Sequence, residues 1–200
     1  MTNKRYKISF SALILVAGES SRFGIDKALL KFNENETFID HLIIEYSNFG
    51  CEKIIVVANN KNASNFEHLY SNDKVKITIN QNPENGRFSS IQTGINACNN
   101  ADYLFISNVD NPFINNNLLQ ALSENIKHHD VIIPTYRNKG GHPVLISNIV
   151  HENIKNINIS DFNFKEFLKN FTTSRLEVYY PEILANINTE EDYEKWFGVL

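Results

Sequence analysis

Downstream of the apolar run Ala12 to Val16, the chain places two glycines, two hydroxyls and two cations close together: Gly18, Ser20, Ser21, Arg22, Gly24 and Lys27. That mixture suits a phosphate. Glycines let backbone N–H groups approach an anion, and the cations offset its charge. The spacing excludes two common nucleotide loops. Five residues separate Gly18 from Gly24, and Ala28 follows Lys27, whereas a Walker A loop needs four residues between its glycines, then Lys and Ser/Thr at once. The dinucleotide fingerprint G-x-G-x-x-G is also absent.

Four later segments carry further chemistry. Asn108-Val109-Asp110-Asn111-Pro112 follows the apolar run Tyr103–Ser107. A carboxylate at the end of a strand faces the ligand crevice of an α/β sheet, where Mg²⁺ takes one or two carboxylates plus substrate phosphates. The same residues also suit a turn that caps the next helix. Asn80, Ser89 and Ser90 offer amide and hydroxyl groups that read a base or hold its loop, and Ser89 alternatively caps a helix. Gly140-Gly141-His142-Pro143 is a shaped turn with Arg137 and Lys139 close by. Thr189 and Asp192 form a capping box for the last helix, which accounts for the acids there but not for Asn186 and Asn188.

The elements that must position these groups follow from apolar runs. Strands are expected at 12–16, 53–58, 75–79, 103–107 and 131–134, with helices at 38–48, 62–70, 89–98 and 115–127. Most of these strands are continuously apolar, as strands covered on both faces should be. The alternation predicts an α/β fold with a parallel sheet and ligands at the carboxyl ends of its strands. Beyond Pro134 the rhythm changes. A polar, basic turn over 136–141 precedes strands at 143–146 and 175–180 and helices at 151–155 and 164–170.

Two hundred residues suit one domain with a full core. A net charge of −4 argues against a nucleic-acid partner. No apolar run approaches a membrane span or a signal peptide, so the expected location is the cytoplasm, without membrane attachment. Cys51 and Cys98 are too few and too distant for a disulfide framework or an all-cysteine zinc site. The abundant asparagines, as in Asn115-Asn116-Asn117, read as polar loop filler.

The first loop resembles the signature of the MobA-like nucleotidyltransferases, L-A-A/G-G-x-S-x-R-M-G-x-x-K. Leu15, Ala17, Gly18, Ser20, Arg22, Gly24 and Lys27 fall in place, with Val16 and Phe23 as departures. Asp110 and Pro112 match the family's D-x-P. Asn80 through Ile91 resembles N-x-x-x-x-x-G-M-x-S-S-L, with Gly86, Ser89 and Ser90 in place and Arg87 where the pattern has Met. Gly141-His142-Pro143-Val144-Leu145 resembles the R-G-H-P-V-L stretch of molybdenum cofactor cytidylyltransferases.

The resemblance implies a three-layer α/β/α, Rossmann-like nucleotidyltransferase fold, with a nucleotide-binding half over about residues 1–112 and an acceptor-binding half over about 113–200. It implies transfer of a nucleotidyl group to a phosphorylated acceptor such as molybdopterin, with release of pyrophosphate. Lys27, Arg22 and Asp110 are then catalytic. Leu15, Ala17, Gly18, Ser20, Asn80, Gly86, Ser89 and Ser90 line the nucleotide site, Asp110 and Asn186 hold Mg²⁺, and Gly141, His142, Pro143 and Asn188 meet the acceptor. Ala17 and Ser89-Ser90-Ile91 favour CTP, while Asn186-Ile187-Asn188-Thr189 has the form common in guanylyltransferases; CTP is the expected substrate. A molybdoenzyme or chaperone is the protein partner such an enzyme implies. GTP, or a sugar, polyol or isoprenoid phosphate acceptor, is the enzymatic alternative, and a non-catalytic nucleotide-binding or cofactor-chaperone module the other.

Overall fold

The computed structural model describes residues 7–18, 26–67, 73–98, 101–157 and 163–198. In chain order the elements are β1 (Phe10–Leu15), α1 (Phe38–Phe49), β2 (Ile54–Asn59), α2 (Ser64–Glu67), β3 (Val75–Asn80), α3 (Gly86–Ala97), β4 (Tyr103–Asn108), α4 (Asn116–Glu124), β5 (Val131–Tyr136), β6 (Lys139–Gly140), β7 (Val144–Ser147), α5 (Asn148–Lys155), α6 (Phe164–Leu168), β8 (Thr173–Glu177) and α7 (Glu190–Phe197).

The sheet order is β3-β2-β1-β4-β7-β5-β6, with β8 on the other side of β5. β1 lies between β2 and β4 and is parallel to both. Its side chains alternate between two cores. Ala12 and Ile14 join α1 and α4 on one face, while Leu13 and Leu15 join α3, α5 and α6 on the other. A sheet with helices on both faces gives the three layers expected from its continuously apolar strands. Close approach of α3 depends on Gly94, where a Cβ would collide with Leu13 and sit 2.8 Å from Val57 Cγ2.

Local chemistry sets the element ends. Thr37 and Asp40 form a capping box that starts α1, and Asn115 accepts from the Leu118 N–H to start α4. α4 stops at Glu124, before the expected Lys127, because the Asn125 backbone N–H donates to the Leu122 carbonyl and its amide to the Ala121 carbonyl. α3 begins at Gly86, so Ser89 lies inside the helix and is not its cap.

The second half departs from a purely parallel sheet. β5 runs on through Pro134 to Tyr136 and turns directly into β6. Arg137 and Asn138 take φ of 49° and 64°, the left-handed pair that a two-residue hairpin requires. A chain that returns through a hairpin must run back antiparallel, and β7 pairs antiparallel with both β4 and β5.

Candidate active site

The path from β1 outward to β2 and β3, then back across β1 to β4, makes a switch point between β1 and β4. Ligands of doubly wound sheets sit beyond the carboxyl ends of strands at such a point. A cavity of about 370 Å³ lies there, walled by Leu15–Gly18, Lys27, Gly86, Arg87, Ser90 and Asn108–Asp110. A second cavity of about 610 Å³ shares Ala17, Gly18 and Pro83 with it and continues past Asn59, Asn60, Gln81 and Glu84.

Three of the first four strands end on asparagine: Asn59, Asn80 and Asn108. These residues build the rim. The Asn59 amide donates to the Ala17 carbonyl at 3.1 Å, and its oxygen accepts from the N–H groups of Lys61 and Asn62. The Asn62 amide bonds the Val16 carbonyl and Asp26 Oδ2, both at 2.9 Å. Asp26 in turn accepts from the Ala28 N–H at 3.0 Å, which begins the short 3₁₀ turn carrying Lys27. The chain is therefore pinned before and after residues 19–25. Ser20, Arg22 and Gly24 of the expected loop lie outside the described residues.

Lys27 Nζ donates to Asn188 Oδ1 at 2.6 Å. Asn188 is held by its backbone N–H, which donates to Asp192 Oδ2, and Asp192 also closes the expected capping box with Thr189. The structure thus sets Asn188, expected to meet the acceptor, beside Lys27. The Ile187 N–H donates to the Asp110 carbonyl at 2.8 Å, which brings the exposed Asn186 next to the Asp110 turn.

Asp110 is the one acid among the described residues that line this cavity. Its Oδ1 is buried and has no hydrogen-bond partner among the described residues. Burial raises its pKa, while Lys27 and then Arg87 oppose the rise. A buried carboxylate oxygen without a donor fits a divalent cation better than it fits a structural turn. The described residues contain no cluster of three or more His, Cys, Asp or Glu able to hold a metal.

Asn80 and Ser89 stand behind the cavity wall. The buried Asn80 amide lies 2.8 Å from Ser89 Oγ and 2.9 Å from Ser90 Oγ, and Asn80 Oδ1 accepts from the Asn82 N–H. Asn80 and Ser89 direct their polar groups into the β3–α3 loop, while Ser90 lines the cavity. Gly141 is a packing glycine, since a Cβ there would sit 2.5 Å from the Ile183 carbonyl oxygen. Its N–H donates to Pro134 and that of His142 to Ile183, with Pro143 buried behind them. His142 Nε2 faces Arg87 Nη2 at 3.3 Å and Asn108 Nδ2 at 3.4 Å. Burial, then the Arg87 charge, push the His142 pKa down to about 3. Both effects favour the neutral form of the ring.

The sequence pattern did not single out Asp26, Asn59, Asn62 or Asn108 as site residues. The one available signal was the recurrence of asparagine at the ends of apolar strands.

Residues 12–175 match the model of the MobA-like NTP transferase domain, and the chain belongs to that family. It is 31% identical, over 92% of its length and 93% of the relative's, to a protein of Natranaerobius thermophilus named probable molybdenum cofactor guanylyltransferase. Rv0371c of Mycobacterium tuberculosis H37Rv superposes with a TM-score of 0.79 at 18% identity, covering 95% of this chain and 97% of that one. A further structure of Rv0371c is a complex with manganese, at a TM-score of 0.75, 16% identity and coverage of 96% and 100%. The 2-C-methyl-D-erythritol 4-phosphate cytidylyltransferase of Francisella tularensis gives 0.72 at 18% identity, with coverage of 94% and 99%. The family and fold are those of a nucleotidyltransferase, and the expected CTP preference finds no support in the curated relative. Among the described residues, no helix is long and apolar enough to cross a membrane.

Proposed function

We propose that the protein transfers a guanylyl group from GTP to the terminal phosphate of a molybdopterin-type acceptor and releases pyrophosphate. The observation that carries this reading is the switch-point cavity, in which Lys27 and Arg87 act on Asp110, whose buried Oδ1 lacks a hydrogen-bond partner among the described residues. GTP is preferred to CTP on the name of the curated relative and on the Asn186-Ile187-Asn188-Thr189 segment.

An acceptor phosphate oxygen attacks the α-phosphorus. A new phosphoanhydride bond forms, the α–β bond breaks, and pyrophosphate leaves. Both reactants are anionic, so positioning and charge neutralisation supply most of the rate. Lys27, fixed by Asn188, places a positive charge on the triphosphate. Asp110 would hold Mg²⁺, which would supply neutralisation of phosphate charge there. The Gly18 backbone lines the same wall, and the adjoining amide-rich cavity takes the guanine.

The test is pyrophosphate release from GTP, CTP and ATP with molybdopterin as acceptor and Mg²⁺ present. GTP should be used best, and chelation should abolish turnover until Mg²⁺ is restored. A clear preference for CTP overturns the base assignment, and turnover that survives chelation removes the metal.

A further inference from the structure

Arg87 is a cation where a helix disfavours one. It lies in the first turn of α3, which contains no acid, and the Asn85 side chain makes no capping bond there. The helix dipole makes a basic residue at this end unfavourable, so helix stability does not explain it. The guanidinium instead lines the cavity with Lys27, Gly18 and Asp110. It makes no ion pair among the described residues, and Asp110 acts on it only at longer range.

Two aromatic groups fix it. Phe164 of α6 presents its ring 6.0 Å from the guanidinium carbon, within reach of a cation–π contact. His142 presents Nε2 at 3.3 Å, and the Asn108 amide nitrogen lies 3.4 Å from the same atom. Guanidinium and amide nitrogens only donate. Nε2 is therefore the lone-pair nitrogen, and the ring proton is on Nδ1. The other Asn108 amide hydrogen is accounted for by Asn111 Oδ1 at 3.0 Å. A guanidinium offers five N–H donors in a planar fork suited to phosphate oxygens, and His142 engages one of its nitrogens.

We propose that Arg87 is a further cationic ligand of the nucleotide phosphates, and that His142, as a neutral acceptor braced by Asn108, positions it. This rests on the nucleotidyl-transfer reading of the same cavity. The role of His142 is orientation, and it contributes no charge to the substrate.

The test pairs calorimetric binding of magnesium tripolyphosphate, which has no base, with steady-state turnover of GTP. Arg87→Met should weaken tripolyphosphate binding about tenfold and lower kcat/KM for GTP about a hundredfold, the scale of losing one electrostatic stabiliser. Arg87→Lys should recover most of the binding and only part of kcat, since it restores the charge without the fork. His142→Ala should lower kcat/KM by about tenfold, and His142→Gln, whose amide oxygen accepts, should restore it. The double variant Arg87→Met/His142→Ala should be no worse than Arg87→Met alone, because a residue acting only through Arg87 has nothing left to position.

Wild-type-like tripolyphosphate binding by Arg87→Met overturns the proposal, as does a wild type that fails to bind tripolyphosphate. Multiplicative losses in the double variant overturn the role of His142. If His142→Ala fails to fold, His142→Gln carries the comparison. The two readings fail separately. Arg87-dependent tripolyphosphate binding without GTP turnover defeats guanylyl transfer alone, whereas normal GTP turnover by Arg87→Met defeats the role of Arg87 alone.

Discussion

The two cavities at the carboxyl end of the sheet share Ala17, Gly18 and Pro83 yet are built from different chemistry. One concentrates charge: Lys27, Arg87 and Asp110 meet over about 370 Å³. The other, of about 610 Å³, is walled chiefly by the amides Asn59, Asn60 and Gln81, with Lys61 and Glu84 at its sides. Charges act through a field that tolerates small displacements and grows where water is excluded. Amides act through the direction of individual bonds and fail when a partner is missing. The charged cavity is therefore suited to reacting phosphates, and the amide cavity to holding shape and reading a base edge.

The comparison breaks most easily at the charges. Lys27→Ala and Asp110→Ala should each lower kcat by about a hundredfold, the usual cost of one missing electrostatic stabiliser. Pyrophosphate release measures it, with thermal unfolding showing that each variant folds. Near-normal turnover in either variant would remove that residue from the mechanism. Removal of Lys27 should also free Asn188, which accepts from it at 2.6 Å. Asn188→Ala should therefore lose less than Lys27→Ala.

The same contrast explains what the sequence disclosed. Gly18, Lys27 and Asp110, which line the charged cavity, stood out because a phosphate reading restricts residue type and spacing, and because apolar runs fixed where strands end. The capping box of Thr189 and Asp192 was legible for the same reason, being local. The amide network was not. Asn59 reaches Ala17 across 42 positions, and Asn62 reaches Asp26 across 36. Nothing local separates such an asparagine from one in a surface turn. The abundant Asn read as loop filler was thus the framework of the rim, and even Asn115 caps α4. The antiparallel β7 was equally hidden, since it depends on Arg137 and Asn138 adopting a turn usually made with glycine.

The amide framework should show in stability before it shows in chemistry. Asn59→Ala removes the donor to the buried Ala17 carbonyl and the side-chain acceptor of the Lys61 N–H, and leaves the Asn62 N–H only the residue 59 backbone carbonyl, at 3.3 Å. A loss of about 1–3 kcal/mol is expected, read by denaturant unfolding. Asn59→Asp separates the halves, because a carboxylate keeps the acceptor and loses the donor. If Asn59→Asp is as stable as wild type, the link to Ala17 is not what holds the rim.

Asp192 gives a smaller effect with a pH signature. Bonds from the N–H of Asn188, then from that of Thr189, outweigh desolvation and hold its carboxyl below the ordinary range. Because the folded-state pKa lies below the unfolded one, the contribution is present above the unfolded pKa and is lost as pH falls through the folded value. Asp192→Ala should cost about 0.3–1 kcal/mol at neutral pH, the usual worth of an acid in the first turn of a helix. Its deficit in Tm relative to wild type should shrink as pH falls below the ordinary aspartate range. A deficit that stays constant through that range would show that the cap does not depend on the carboxylate.

The finest distinction lies at Glu84, on the amide side. Guanine presents N–H donors along one edge, and a carboxylate accepts from them where cytosine offers a different pattern. Glu84 is exposed, so its bond to a base competes with water and is worth little. Glu84→Gln should raise KM for GTP by about threefold with kcat unchanged, the pattern of lost uniform binding. A change in kcat with unchanged KM would place Glu84 on the charged side of the boundary, and the separation between a reacting cavity and a reading cavity would no longer stand.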